Sequence, residues 1–206
     1  MNYSALPSLT HGLVTLRPIA SGDIEPWFRY LSLPQVYEHT SWNVHAPSEL
    51  AHCVWREEEF TPSSALRFAI ALRTTSELVG TAGFHTISPQ NATAEMAYDL
   101  APEYWGKGIA TAVCTELCAW AHSAAAVIRV QATVLETNVR SAKVLERCGF
   151  QCEGLLQAYR LVRGQPGNFY MYAHVQRRIA AINTLVRNES FACQTPPQWS
   201  PLAAKT

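Results

Sequence analysis

The stretch EYWGKGIATAV, Glu103 to Val113, governs how the rest of the chain is read. It sets an aromatic pair and two glycines around a lysine directly before an unbroken run of small and apolar residues. A glycine-rich turn that opens a helix holds an anion on backbone N–H donors at the positive end of the helix dipole. Gly106 and Gly108 permit the sharp bend, so the N–H groups from Gly106 to Thr111 are expected to face one ligand without any side chain touching it. Two common phosphate loops do not fit. A nucleoside-triphosphate loop needs glycine where Ala101 stands and a hydroxyl where Gly108 stands. A dinucleotide fingerprint needs glycine at Thr111 and an acidic residue about 20 positions on, and neither is present.

Outward from this turn the chain alternates strand and helix signals, which predicts a mixed α/β (α+β) domain. GLVTLRP from Gly12 is a β-branched run stopped by Pro18, and SGDIEPWFRYLS reads as a helix capped by Ser21 or Asp23. PSELAHCVWREEEF reads as a second helix with Ser48 as N-cap and Glu57 to Glu59 on a solvent face. Between them Leu33 to Ala46 is a loop with Tyr37, His39, Trp42 and His45, suited to line a substrate cleft. Leu66, Phe68, Ile70 and Leu72 alternate on one face of a strand; LVGTAGFHTI and TAEMAYDLA complete an antiparallel meander. Ile109, Val113, Leu117 and Trp120 then recur at helical spacing. VIRVQATVL is a strand, Asn138 starts a helix ended by Gly149, and GLLQAYRLVRG with NFYMYAHV forms a last hairpin. A domain over residues 1–175 is expected, followed by a C-terminal helix and a proline-rich tail over 176–206 carrying Pro196, Pro197 and Pro201.

Composition narrows the function classes. The chain has 206 residues, 48% of them apolar, and no formal net charge. Neutrality removes a whole-protein attraction to nucleic acid or to an anionic membrane. Ile109 to Ile128 is long and weakly polar, but Glu116 near its centre would cost about 2.5–3.5 kcal/mol in a bilayer, so a buried helix is expected. The N-terminal residues lack the basic start and apolar stretch of a secretory signal, and a cytoplasmic setting is the expectation. Six cysteines form no C-x-x-C pair, and the x3 spacings of Cys114/Cys118 and Cys148/Cys152 are not those of zinc knuckles; reduced core thiols and no metal are expected.

The segment YWGKGIAT resembles the acyl-CoA pyrophosphate loop of the GNAT superfamily of N-acetyltransferases, and NVRSAKVLERCGF, Asn138 to Phe150, matches that superfamily's N-x-x-[AS]-x-x-[LV]-x-x-x-x-G-F helix. LVGTAGFHTI and AEMAY further resemble the branch containing the ribosomal-protein alanine and serine N-terminal acetyltransferases. The likeness covers Thr10 to Val175. It implies a mostly antiparallel central sheet of six to seven strands, splayed between strands four and five and flanked by about four helices. It also implies acetyl-CoA as cosubstrate, a primary amine as acceptor and direct attack in a ternary complex.

Residue roles follow from the same resemblance. Tyr98 and Leu100 lie on the strand that pairs with the pantetheine arm, and Gly106, Lys107, Gly108, Ile109, Ala110 and Thr111 form the pyrophosphate cradle. Asn138 and Ser141 sit near the thiol. Glu95 is the expected general base, acting through water, and Ser141 the expected acid for the leaving thiolate. His85, Tyr37 and Trp42 are weaker candidates on the acceptor side. The sequence departs from the pattern at Leu145, where many members carry tyrosine, at Arg160, where the branch can carry glutamate, and at Asn168, where relatives have aspartate. An α-amine near pKa 7.7–8.0 needs about 2.5 units less help from a base than an aliphatic amine near 10.4, which favours a peptide N-terminus or an amino acid as acceptor. A polyamine- or drug-directed enzyme and a non-catalytic acyl-CoA-binding module stand as alternatives. The tail from Gln176 is left three roles: to cover a homodimer contact, to close over the cleft, or to trail.

Overall fold

The computed structural model describes residues 7–42, 44–54 and 64–176. All belong to one compact unit, Met1–Gln176. The helix and tail expected beyond Gln176, Cys193 and the acidic run Glu57–Glu59 lie outside the described residues.

A seven-stranded sheet runs in the order β1-β2-β3-β4-β5-β7-β6. The strands are β1 (Val14–Pro18), β2 (Leu66–Leu72), β3 (Leu78–Ser88), β4 (Thr93–Leu100), β5 (Arg129–Leu135), β6 (Gln151–Val162) and β7 (Gln165–Val175). Neighbours are antiparallel except β4 and β5, which are parallel and pair only from Thr93 to Glu95 against Arg129 to Gln131. Beyond Glu95 the two strands part. This is the expected splay between the fourth and fifth strands, and it leaves one edge of Met96–Leu100 without a strand partner.

Four α-helical segments flank the sheet among the described residues: α1 (Ile24–Leu31), α2 (Pro34–Tyr37), α3 (Ile109–Ser123) and α4 (Val139–Arg147). One core lies under α3 and α4, where Ile109, Val113 and Leu117 meet Leu66, Phe68 and Ile70, and Trp120 stacks on Phe84 at 6.2 Å. Each such aliphatic side chain contributes about 1.5–3 kcal/mol by leaving water. A second core lies on the other face, built on Trp27, Tyr30, Leu31 and Leu50 against Ala69, Leu78 and Ala101. The alternation predicted for β2 is therefore half of the pattern: Leu66, Phe68 and Ile70 face the first core, while Ala69 and Ala71 are also fully buried. Small residues alternate with large ones because both faces of the sheet are covered.

Three local expectations change. Pro34, at the first helical position, starts a single helical turn inside the segment read as a loop. The second helix is a 3-10 segment, Pro47–Cys53, preceded by Ala46 rather than capped by Ser48. Asp23 precedes α1, but its carboxylate accepts from the Ala20 N–H at 2.8 Å and from Arg17 at 2.6 and 2.8 Å, so it holds the preceding turn to β1.

Gly80 and Gly83 explain the two glycines of β3. A Cβ on Gly83 would lie 1.9 Å from the Leu66 carbonyl oxygen and 2.8 Å from the Arg67 Cα on β2. Both obstacles are backbone, so nothing flexible can yield. Gly83→Ala is expected to destabilise the fold by about 3 kcal/mol or more, measured by urea unfolding; a loss under about 1 kcal/mol would contradict this packing.

Candidate active site

The turn before α3 has the geometry needed by an anion cradle. Gly106 and Gly108 take φ of 73° and 76°, a left-handed region that favours glycine. A Cβ built on either meets nothing within 4 Å, so the space in front of the turn is open. Gly108 is the N-cap of α3 and no side chain caps the helix, whose first N–H groups have no intrahelical acceptor. Lys107 Nζ lies 5.0 Å above the Tyr104 ring, and the Trp105 indole N–H donates to the Leu100 carbonyl at 2.8 Å. The Trp105 bond ties the segment entering the turn to the end of β4. Ile109 is buried against the sheet, while Ala110 and Thr111 are half-buried.

A cavity of about 730 Å³ opens where β4 and β5 separate. Met96, Ala97 and Tyr98 form one wall, and Asn138, Ser141 and Leu145 form another. Asn138 is the N-cap of α4, its Oδ1 accepting from the Ser141 N–H at 3.0 Å while its Nδ2 donates to the His39 carbonyl at 3.3 Å. That cap aims the Ser141 hydroxyl across the split, where it lies 2.8 Å from the Tyr98 hydroxyl. Burial pushes the Tyr98 phenol well above its ordinary value, so it stays protonated. Leu145 is fully buried beneath this pair. Motif matching pointed to the main chain of Tyr98; it could not anticipate the meeting of its side chain with Ser141.

Glu95 stands at the fork itself, the last β4 residue paired with β5. It is 7% exposed, and its Oε1 accepts from Thr133 Oγ1 at 2.9 Å and Arg160 Nη2 at 3.0 Å, with His85 Nε2 at 3.2 Å. Burial raises its pKa, but the hydrogen bond and charge of His85, the Thr133 hydroxyl and the Arg160 charge outweigh burial and hold it at about 2. Two backbone irregularities deliver these partners. Phe84 pairs with Met96 and Thr86 with Glu95, so His85 is the extra residue of a β-bulge that turns it toward the carboxylate. Across β6 and β7, Leu156 pairs with Phe169 but Arg160 with Gly167, and Ala158 takes φ of 50°. Asn168 supports that wider bulge: its Oδ1 accepts from the Ala158 N–H at 3.0 Å and its Nδ2 donates to Glu136 at 3.1 Å.

His85 and Trp42 line the cavity, and Tyr37 does not. Tyr37 instead lies 5.0 Å beneath Arg163, whose guanidinium donates to the carbonyls of Tyr37, Glu38 and Thr40 and so fastens the β6–β7 turn to the acceptor-side loop. Arg67, which the sequence did not single out, is a second lining cation; it sits 5.2 and 5.1 Å from the Trp27 and Trp42 rings and pairs with Asp99. Asp99 also accepts from Tyr30 and, at 2.8 Å, from Thr81. The Arg67–Asp99 pair links β2 to β4, too far apart in sequence for any local pattern to reveal.

Because the folded pKa of Glu95 lies below its ordinary 4.5, the carboxylate contributes stability that is fully present above about pH 4.5 and is lost as pH falls toward about 2. The shift corresponds to about 3 kcal/mol. The unfolding free energy of the wild type minus that of Glu95→Gln is expected to shrink by about that amount over this range; a difference that stays constant would refute the arrangement.

Comparison with known proteins accords with this geometry. Residues 14–151 match the family model described as acetyltransferase (GNAT) domain. The chain is 30% identical over 171 residues to the uncharacterized N-acetyltransferase p20 of Bacillus licheniformis, covering 81% of this chain and 95% of that protein. Its fold superimposes on the ribosomal-protein-S5-alanine acetyltransferase of Vibrio fischeri with a TM-score of 0.69 and 21% identity, over 83% of this chain and 97% of the other. It superimposes equally on the spermidine N-acetyltransferase of Vibrio cholerae, a structure holding CoA and spermine, with a TM-score of 0.70 and 19% identity, over 81% and 97%. No described helix is long and apolar enough to cross a membrane. With the splayed sheet, the open glycine turn and the family match over two thirds of its length, the chain belongs to the GNAT family of N-acetyltransferases.

Proposed function

We propose that this enzyme transfers an acetyl group from acetyl-CoA to the α-amine of a peptide N-terminus. The carrying observation is the charge of the cavity wall: Asp99 is its one acidic side chain among the described residues, it is already paired with Arg67, and Arg160 is a second guanidinium. Among the described residues, a polyamine or a lysine side chain would meet two guanidinium groups, each held by its own carboxylate, and no carboxylate left unpaired to receive it. The two acceptor classes share this fold almost equally, so the likeness to solved structures does not separate them, and the reading is supported by the wall charge.

The glycine turn suits the diphosphate, with Lys107 at its edge, and the unpaired edge of Met96–Leu100 suits an extended amide-bearing arm, as a strand partner would. A main-chain N–H on that edge is the natural donor to an oxyanion on the acetyl carbon. Glu95 is a reluctant base: at about 2, taking a proton at pH 7 costs about 7 kcal/mol. Its role in this proposal is to hold His85 and Arg160; His85, turned into the cavity by its bulge and entering the reaction uncharged, receives the ammonium proton through water. As the new C–N bond forms and the C–S bond breaks, the Ser141–Tyr98 hydroxyl pair supplies a proton to the departing sulfur and regains one from the N–H that the attacking nitrogen sheds as it becomes the amide.

Thiol release from acetyl-CoA with a panel of free-N-terminus peptides, an N-blocked lysine peptide and spermidine tests the acceptor class. The peptide α-amines are expected to react at least about tenfold faster in kcat/KM, and a preference for spermidine would overturn the proposal. Ser141→Ala and Tyr98→Phe are each expected to lower kcat by about tenfold or more, with coenzyme affinity changed less than threefold. Equal loss of both quantities would make the pair a binding feature.

A further inference from the structure

Outside the cavity, three potential metal ligands converge where the C-terminal half of α3 meets β7. Cys118 and His122 are four residues apart, hence on one face of α3, and His174 projects from β7. Cys118 Sγ lies 3.5 Å from His122 Nε2, His122 Nε2 lies 2.9 Å from His174 Nδ1, and the three ligand atoms all fall within 4.8 Å of one another. The tautomer of His122 is fixed by its other nitrogen. Nδ1 sits 2.6 Å from the Val127 carbonyl, which only accepts, so Nδ1 carries the hydrogen and Nε2 turns its lone pair inward. A ring N–H held on a backbone carbonyl is the outer support that metal-binding histidines usually have.

Zinc binds imidazole nitrogen at about 2.0–2.1 Å and thiolate at about 2.3 Å, which separates tetrahedral donors by roughly 3.3–3.8 Å. The two shorter spacings here lie close to that range, and a small rotation of His174 would open the third corner. Cys118 is buried, whereas both histidines are half-buried and leave a path for entry. Sulfur with two imidazoles suits a borderline or soft ion and does not suit magnesium or calcium. None of the three lines the acceptor cavity.

We infer that Cys118, His122 and His174 form a site for one divalent cation of the zinc class. Three protein ligands leave a fourth position to water, and the ion clips the end of α3 to β7. Full-length protein without an affinity tag, dialysed against chelator, is to be titrated with Co2+ and then Zn2+. One equivalent of Co2+ is expected to give a thiolate-to-cobalt charge-transfer band that Zn2+ displaces, and Zn2+ should raise Tm by several degrees. Cys118→Ser and His174→Gln should each abolish the band and weaken Zn2+ binding at least about tenfold. The double variant Cys152→Ser, Cys193→Ser should keep both properties. Folded wild-type protein that gives no band at one equivalent would overturn the site, leaving a hydrogen-bonded histidine pair. A band that survives in His174→Gln, or that vanishes only in the Cys152/Cys193 variant, would overturn it too.

Discussion

The parting of β4 from β5 after Glu95 is the constraint on which the rest of the site depends. Three residue pairs of parallel ladder join the strands, and then the ladder stops. A strand edge left without partners inside a fold is costly unless something supplies its hydrogen bonds. In this protein the open edge faces a cavity, and α4 enters the gap with Ser141 against the Tyr98 hydroxyl. The fork thereby becomes a binding surface instead of a defect. A carboxylate at its apex needs compensation, since an unpaired buried charge costs several kcal/mol, and Thr133, Arg160 and His85 provide it.

The two ends of the cleft solve their electrostatic problems differently. At the glycine turn, the donors are main-chain N–H groups at an uncapped helix start, fixed in place by two glycines with positive φ. Backbone donors need no reorganisation when a ligand arrives, so they favour a ligand whose charge is always the same. Around the fork, charged side chains face one another in pairs, Glu95 with Arg160 and Asp99 with Arg67. Such pairs shape a polar wall that, among the described residues, offers no unpaired carboxylate to a polycation. They also join elements far apart in the chain: β4 to β6 in one case and β2 to β4 in the other. Arg163 extends this coupling, because its three carbonyl acceptors make the β6–β7 turn the support of the loop that carries Trp42.

Helix α3 takes part in both halves of this design. Its first turn is the open N-terminus, its middle packs Val113 and Leu117 into the larger core, and its last turns carry Cys118 and His122 beside His174. A helix held along its whole length keeps its N–H groups in a fixed direction. Anchoring the distal end to β7, which also pairs with β5, links that direction to the strand that forms one arm of the fork.

The local signals in the sequence determined the elements and the glycine turn that the proposal assigns to the coenzyme. Gly106 and Gly108 can take left-handed φ without a Cβ penalty, Asn138 caps the helix that follows it, and Val113 and Leu117 face a core by helical period; each property belongs to a short run of residues. The tertiary structure alone decided the surroundings of the fork. A bulge at His85 and a wider one before Arg160 shift register by whole residues, and no pattern of polarity records a shift whose partner strand is remote. The same holds for Glu95, where a residue type compatible with a base acquires a pKa of about 2 through groups drawn from β3, β5 and β6. It holds again for Cys118, His122 and His174: cysteine spacing gave no zinc knuckle, because the third ligand atom is more than 50 residues away and only the packing of a helix on a strand brings it within reach.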